Sequence, residues 1–369
     1  MSPYLLFGVE ASYYAAKIRA CLAYKQLPFV EQQASRRIYA DQIVPRVGWP
    51  VVPVLVTPDD KTLQDTSEMI DFLEAQHPQR PVLPGDAAGR VLSFLLEFLG
   101  DEWLKLPAMY YRWHYNYDFA VAEMGFNNDP DYPRAEQLRI GAKIAKQFQA
   151  WLDPLGVLPT SYTTVEQDYL DFLHKLDTHF EQHPFLLGSA PTLGDFAFFG
   201  PLYAHLWRDP ASGVVMQAHA PRVVAWITRL RAGASDALPL TDSTALAPTL
   251  LAVLRALCRD FVPIVVAQAQ AVQLFLTEYP LDIELPRHCA HHRVTLGRDT
   301  EHQVEVTRAV FPYHQWMLPR VQDAWAATPP PPARVAVRAM LAASGAQALV
   351  DIPLPLRVTR KNYRLVRAA

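Results

Sequence analysis

The stretch Pro50-Val51-Val52-Pro53-Val54-Leu55 constrains this chain most, because a β-branched run with proline inside it cannot be an ordinary central strand. A Val-Pro bond entering a strand is a place where a cis peptide exposes the preceding residue's backbone groups to a ligand. Twelve residues on, Asp65-Thr66 opens a helical pattern whose N-terminus favours an anion. Forty residues back, Ser12 precedes another helical pattern. If the three segments meet, they form a site for a small peptide-like anion.

Around that stretch the order reads β-α-β, an irregular or helical link, then β-β-α. Tyr4–Phe7 and Pro28–Glu31 read as strands, Tyr14–Leu27 as a helix, Val51–Thr57 and Lys61–Leu63 as strands, and Thr66–Gln76 as a helix. Pro81 to Arg90 has the content of an interdomain connection. From there to Arg231 every strong pattern has helical period, and Thr192-Leu193-Gly194-Asp195 reads as a capping box with aspartate in the acidic position. Ala232–Pro248 reads as a low-charge linker. Helical patterns follow around Leu250–Phe261 and Ile264–Leu276, kinked or split at Pro263. Next come a hairpin over Arg293–Thr307, a helix from Phe311 to Trp325, a stiff spacer at Pro329–Pro332 and a solvated basic strand in the tail.

At 369 residues the chain exceeds one ordinary core. Half of its residues are hydrophobic and 19% are charged, which fits a globular protein. A net charge of −3 gives no field toward nucleic acid or an acidic membrane, so neither is expected as a partner. Cys21, Cys258 and Cys289 form no disulfide framework and no CxxC pair. With no leader pattern at Met1–Tyr4, and only the proline-broken run Val262–Leu276 as a long apolar segment, a cytoplasmic setting is expected. His288, His291, His292 and Cys289 match no metal-binding spacing, so no metal is expected.

Ser12-Tyr13-Tyr14-Ala15-Ala16-Lys17-Ile18-Arg19 resembles the first loop and helix of the serine- and cysteine-type glutathione transferases. Val52-Pro53-Val54-Leu55 is similar to that family's cis-proline strand. Asp65-Thr66 falls where the family has an acidic or amide residue followed by serine, and Phe185–Gly188 with Thr192–Asp195 resembles its helical-domain capping motif. The resemblance covers roughly residues 4 to 230. It implies a thioredoxin-like α/β domain (1–80), an all-helical domain (88–233) and, beyond the usual family length, a mixed α/β extension (246–369).

The same resemblance implies glutathione as co-substrate, a small hydrophobic electrophile as partner, detoxification as the role, and a homodimer. A thiol near pKa ~8.5 needs help to ionise at neutral pH. Ser12 is the candidate hydroxyl for that task, with Tyr13 or Tyr14 as alternatives and capping of the first helix as the plain reading. Val52 and Pro53 are implied to read the peptide backbone, Asp65 the free ammonium and Thr66 the γ-glutamyl carboxylate. No lysine precedes the Val-Pro pair, which leaves Arg37 or Arg46 for the glycyl carboxylate. Trp103, Tyr110, Tyr111 and Trp113 are candidates for the hydrophobic wall, or for helix–helix core. The alternative from another class is a non-catalytic binding or assembly protein whose extension covers the cleft or binds a partner.

Overall fold

The computed structural model describes residues 2–238, 240 and 246–368, so part of the expected linker, at 239 and 241–245, lies outside the described residues. Strand β1 (Tyr4–Gly8) lies between β2 (Phe29–Gln33), parallel to it, and β3 (Val54–Val56), antiparallel, and β4 (Thr62–Gln64) completes the order β2-β1-β3-β4. Helix α1 (Tyr13–Tyr24) connects β1 to β2, helical turns over 36–47 lead to β3, and α2 (Thr66–Gln76) follows β4. Side chains alternate across the sheet as strand period demands. Leu6, Leu55 and Leu63 meet Ile18, Cys21, Met69 and Leu73 in the main core, while Phe7, Val54 and Val56 meet Ile43 and Val47 on the other face.

A helical layer follows. Asp86 caps α3 (Ala87–Phe98) by accepting from Gly89 N at 2.7 Å, and a wider turn over 99–103 carries the chain into α4 (Lys105–His114). Helices α5 (Tyr117–Asn128) and α6 (Arg134–Gln149) pack with their backbones almost touching. A Cβ on Gly141 would lie 2.0 Å from the Val121 carbonyl oxygen, and one on Gly125 would lie 1.9 Å from that of Gln137. Helix α7 (Tyr162–Gln182) precedes α8 (Leu193–Pro201), where the capping box at Thr192 forms with Asp195. Fully buried, Asp195 also accepts from Leu186 N at 2.9 Å and Trp226 Nε1 at 3.0 Å, and burial raises its carboxyl to about 6. Helices α9 (Pro210–His219) and α10 (Pro221–Arg231) complete the layer.

Much of the segment from 248 onward shares the main core, while Val272, Leu276, Leu285, Val310 and Val358 form a smaller cluster of their own. Helix α11 (Pro248–Glu278) packs on α7. Strands β5 (Ala290–Leu296) and β6 (Val304–Val310) form a hairpin in the expected place, and α12 (Pro312–Ala326) and α13 (Ala333–Ser344) pack on α3. Strands β7 (Val358–Lys361) and β8 (Arg364–Arg367) form a terminal hairpin, and β8 also bridges to Glu284 through Val366.

Three sequence expectations are corrected or narrowed here. Of the two alternatives at Pro263, kinked or split, the split is excluded: it lies inside a single helix, where the buried residues Phe261, Val262, Ile264 and Val265 hold the turns on both sides of it. The segment Pro329–Pro332 forms a turn between α12 and α13 instead of an extended spacer. The basic tail is solvated only in part: Arg357 and Lys361 are exposed, whereas Arg360 is only 7% exposed and pairs with Glu68 at 3.2 Å.

Candidate functional site

The chain reverses direction at Asp65, whose φ of +81° is strained for a residue with a Cβ. The turn is held because Asp65 Oδ1 accepts from Ser67 N at 2.9 Å and so caps α2. Opposite it, the loop Trp49–Pro53 precedes the ladder, whose first pair is Val54 with Gln64, and the Val52–Pro53 peptide is cis. These two segments, the start of α1, Met109 of α4, Trp151 and Leu155 surround a cavity of about 410 Å³.

The remaining wall comes from the extension, through Leu285–Arg287, Phe311, Tyr313, Arg360 and Tyr363–Leu365. The extension also reaches the polar groups of the sheet edge directly. Tyr313 Oη donates to Asp65 Oδ2 at 2.7 Å. Arg360 donates to the Gln64 side chain and lies 3.7 Å from Asp65 Oδ2, and Tyr363 Oη donates to Thr62 O at 3.2 Å. An ammonium group brought to Asp65 would therefore meet a guanidinium and a phenol already there.

The candidate hydroxyls are placed differently from one another. Ser12 Oγ accepts from Ala15 N at 3.2 Å as the cap of α1, and Ser12 does not line the cavity. Tyr13 and Tyr14 do line it, but their hydroxyls donate to Asp101 O at 3.1 and 3.2 Å. Burial holds both phenols well above their ordinary pKa, and the nearby Glu102 carboxylate pushes them further. Lys105 lines the same wall and pairs with Glu102 at 2.6 Å, so this carboxylate is matched where it meets the cavity.

Behind this wall runs a buried ionic chain. Lys17 Nζ lies 2.9 Å from Glu97 Oε1 and 2.6 Å from Asp101 Oδ2, all three side chains being almost wholly buried. Glu97 also accepts from Ser67 Oγ at 2.7 Å and Arg320 Nε at 3.0 Å, and Arg320 reaches Asp71 at 2.6 Å. Glu102 meets His314 at 2.9 Å and Lys105 at 2.6 Å. Sequence reading gave no sign of this chain, since a lysine in a first helix reads as solvated.

These pairs set a pH dependence. Burial opposes ionisation of Glu102, but the Lys105 charge and the His314 hydrogen bond overcome it and hold the carboxyl at about 2. Its folded value lies below its unfolded one, so its stabilisation is complete above pH ~4.5 and is lost as pH falls toward 2. A shift of that size corresponds to about 3 kcal/mol. Denaturant titrations of wild type and Glu102→Gln across this window are expected to show the steeper loss in wild type, and parallel curves refute the assignment.

The other expected residues are dispersed. Arg37 is exposed, and Arg46 pairs with Asp60 at 2.9 Å; neither lines the cavity. Cations are supplied there instead by Arg287 and Arg364, centred 5.6 and 4.6 Å from the Trp49 ring, and no local sequence signal marked them. Tyr110 donates to Glu166 at 2.7 Å, Tyr111 packs on Tyr169, Trp113 stacks on Phe148, and Trp103 packs on Phe261. All four lie outside the cavity wall. Among the described residues no cluster of three or more His, Cys, Asp or Glu side chains is placed to hold a metal ion, and no helix is long and apolar enough to cross a membrane.

Comparison with known proteins places this arrangement. Residues 6–81 match the glutathione S-transferase N-terminal domain family, and residues 149–229 match the corresponding C-terminal domain family. No curated protein matches. Among solved structures, a glutathione S-transferase from Methylobacterium radiotolerans in complex with glutathione sulfonate is 21% identical, with 66% of this chain and 98% of that one covered and a TM-score of 0.40. The β-etherase LigF from Sphingobium sp. strain SYK-6 is 16% identical, with coverage of 68% and 98% and a TM-score of 0.47. A glutathione S-transferase from Methylobacillus flagellatus with glutathione bound is 16% identical, with coverage of 64% and 100% and a TM-score of 0.38. Through its two matched regions the chain belongs to the glutathione transferase superfamily, and the segment from 246 onward lies outside both.

Proposed function

We propose that this protein is a binding member of the superfamily in which the extension covers the glutathione cleft, rather than an enzyme conjugating glutathione to a hydrophobic electrophile. The observation that carries this reading is the hydrogen bond from Tyr313 to Asp65, seconded by Arg360 on Gln64. Those groups stand where the family resemblance assigns the γ-glutamyl ammonium. The surroundings point the same way. No hydroxyl among Ser12, Tyr13 and Tyr14 combines a place on the wall with a proton free to give a thiolate.

The conjugating enzyme is the second reading, favoured by Val52, Pro53, Asp65 and Thr66 all lining one cavity. On that reading Ser12 ionises the thiol and the extension moves aside for glutathione. Calorimetric titration with glutathione and a conjugation assay with 1-chloro-2,4-dinitrobenzene separate the two. The covered cleft predicts no saturable heat at millimolar glutathione and no rate above the uncatalysed reaction. Saturable binding with a rate lost in Ser12→Ala replaces it with the second reading.

A further inference from the structure

The cavity keeps one cation without a counter-charge. Three carboxylates line it, and each is matched: Glu102 by Lys105 and His314, Asp65 by Tyr313 and Arg360, and Glu284 by Arg364 at 2.9 Å. Arg287 has no carboxylate or hydrogen-bond partner among the described residues. Its guanidinium lies 5.6 Å from the Trp49 ring and 5.4 Å from the Trp151 ring, spanning two aromatic residues of the same wall. The Trp49 indole Nε1 also lacks a hydrogen-bond partner, but it is buried and offers no surface to the cavity. The lining also carries the apolar side chains of Met109, Phe148, Leu155 and Phe311.

From this we infer that the cavity is a site for a small organic carboxylate with an apolar body, its charge received by Arg287. Arg287 is exposed to solvent, and an unpaired guanidinium favours a carboxylate because it offers a fork of donors to two oxygens. A volume of about 410 Å³ lies within the range of small-molecule sites, whose walls are mainly apolar with a few placed polar groups. The inference rests on the covered cleft: with Tyr313 and Arg360 at Asp65, the peptide-ammonium end is closed, and the ligand is a simple carboxylate and not glutathione.

The test uses 2-naphthoate and its neutral counterpart 2-naphthamide, titrated by calorimetry into the full-length protein. Wild type is expected to bind 2-naphthoate with one-to-one stoichiometry at least tenfold more tightly than 2-naphthamide. Arg287→Ala is expected to erase that preference, Arg287→Lys to keep part of it, and Leu155→Trp, which fills the cavity, to abolish binding of both. Thermal melting of each variant, matching wild type, separates a lost site from a lost fold. Equal affinity for the two probes, an equal loss of both in Arg287→Ala, or binding that survives Leu155→Trp in a folded variant overturns the inference. Glutathione conjugation by wild type would instead remove the covered cleft while leaving a preference for 2-naphthoate in place.

Discussion

Lys17→Met is expected to destabilise the protein by about 3–5 kcal/mol, the usual cost of removing one partner from a buried ion pair. The ammonium stands between Glu97 and Asp101 at 2.9 and 2.6 Å, and all three side chains are at most 1% exposed. Methionine fills similar space but leaves two carboxylates facing each other away from water. Burial already pushes the Asp101 carboxyl up, against the pull of Lys17, so without the lysine it takes up a proton. Glu97 retains Arg320 and is the less affected of the two. Guanidinium unfolding of the two proteins measures the loss, and a difference below about 1 kcal/mol refutes the account. Adding Asp101→Asn to Lys17→Met is expected to restore part of the stability, because the second group then carries no charge to strand.

The second large effect concerns residues 246–369. A chain ending at Ala237 loses Arg320 from Glu97 and His314 from Glu102, and it uncovers the faces of α3 and α7 against which α12 and α11 pack. Glu97 keeps Lys17 and Glu102 keeps Lys105, so each buried carboxylate is left half-matched, and the larger part of the loss is the exposed core, set against the roughly 5–15 kcal/mol that holds a domain together. The expected result is an insoluble product, or a soluble one without near-ultraviolet circular dichroism or a cooperative melt. A truncated chain that melts cooperatively near the wild-type temperature refutes this and makes the extension an appendage.

What could be read from the sequence was local. The start of α2 at Thr66 follows from Asp65 as a capping residue, and the start of α8 from Thr192 with Asp195, because a cap is decided within four residues. The β5–β6 hairpin and α12 were legible for the same reason: period and turn residues suffice for them. The continuous helix through Pro263 was not, because burial on both sides of the proline outweighed its local preference. Lys17 is a typical surface residue by type, and only two acidic residues, 80 and 84 positions away, explain its place inside. The aromatic residues of α4 showed a helix, but which of its faces met the cavity depended on α6 and α7; Met109 faces it and Tyr110 does not. The site suffered most from this limit. Asp65 and Val52 could be named as neighbours of a ligand, whereas Tyr313, Arg360 and Arg287 have no local mark at all.

The bond from Tyr313 to Asp65 joins residues 248 positions apart, and that from Arg360 to Gln64 joins residues 296 apart. Contacts of such range must wait for long stretches of chain to be ordered, which slows folding relative to local pairing. They also fix a chronology during synthesis, which proceeds from the N-terminus at ~5–20 residues per second. The β1–β4 sheet with Asp65 emerges first, and the side chains that meet it are among the last made. Because the chain without its extension is expected not to fold, the edge at Gln64 and Asp65 takes shape only when the residues that cover it have been made, and no stage of synthesis presents the finished cleft without its cover.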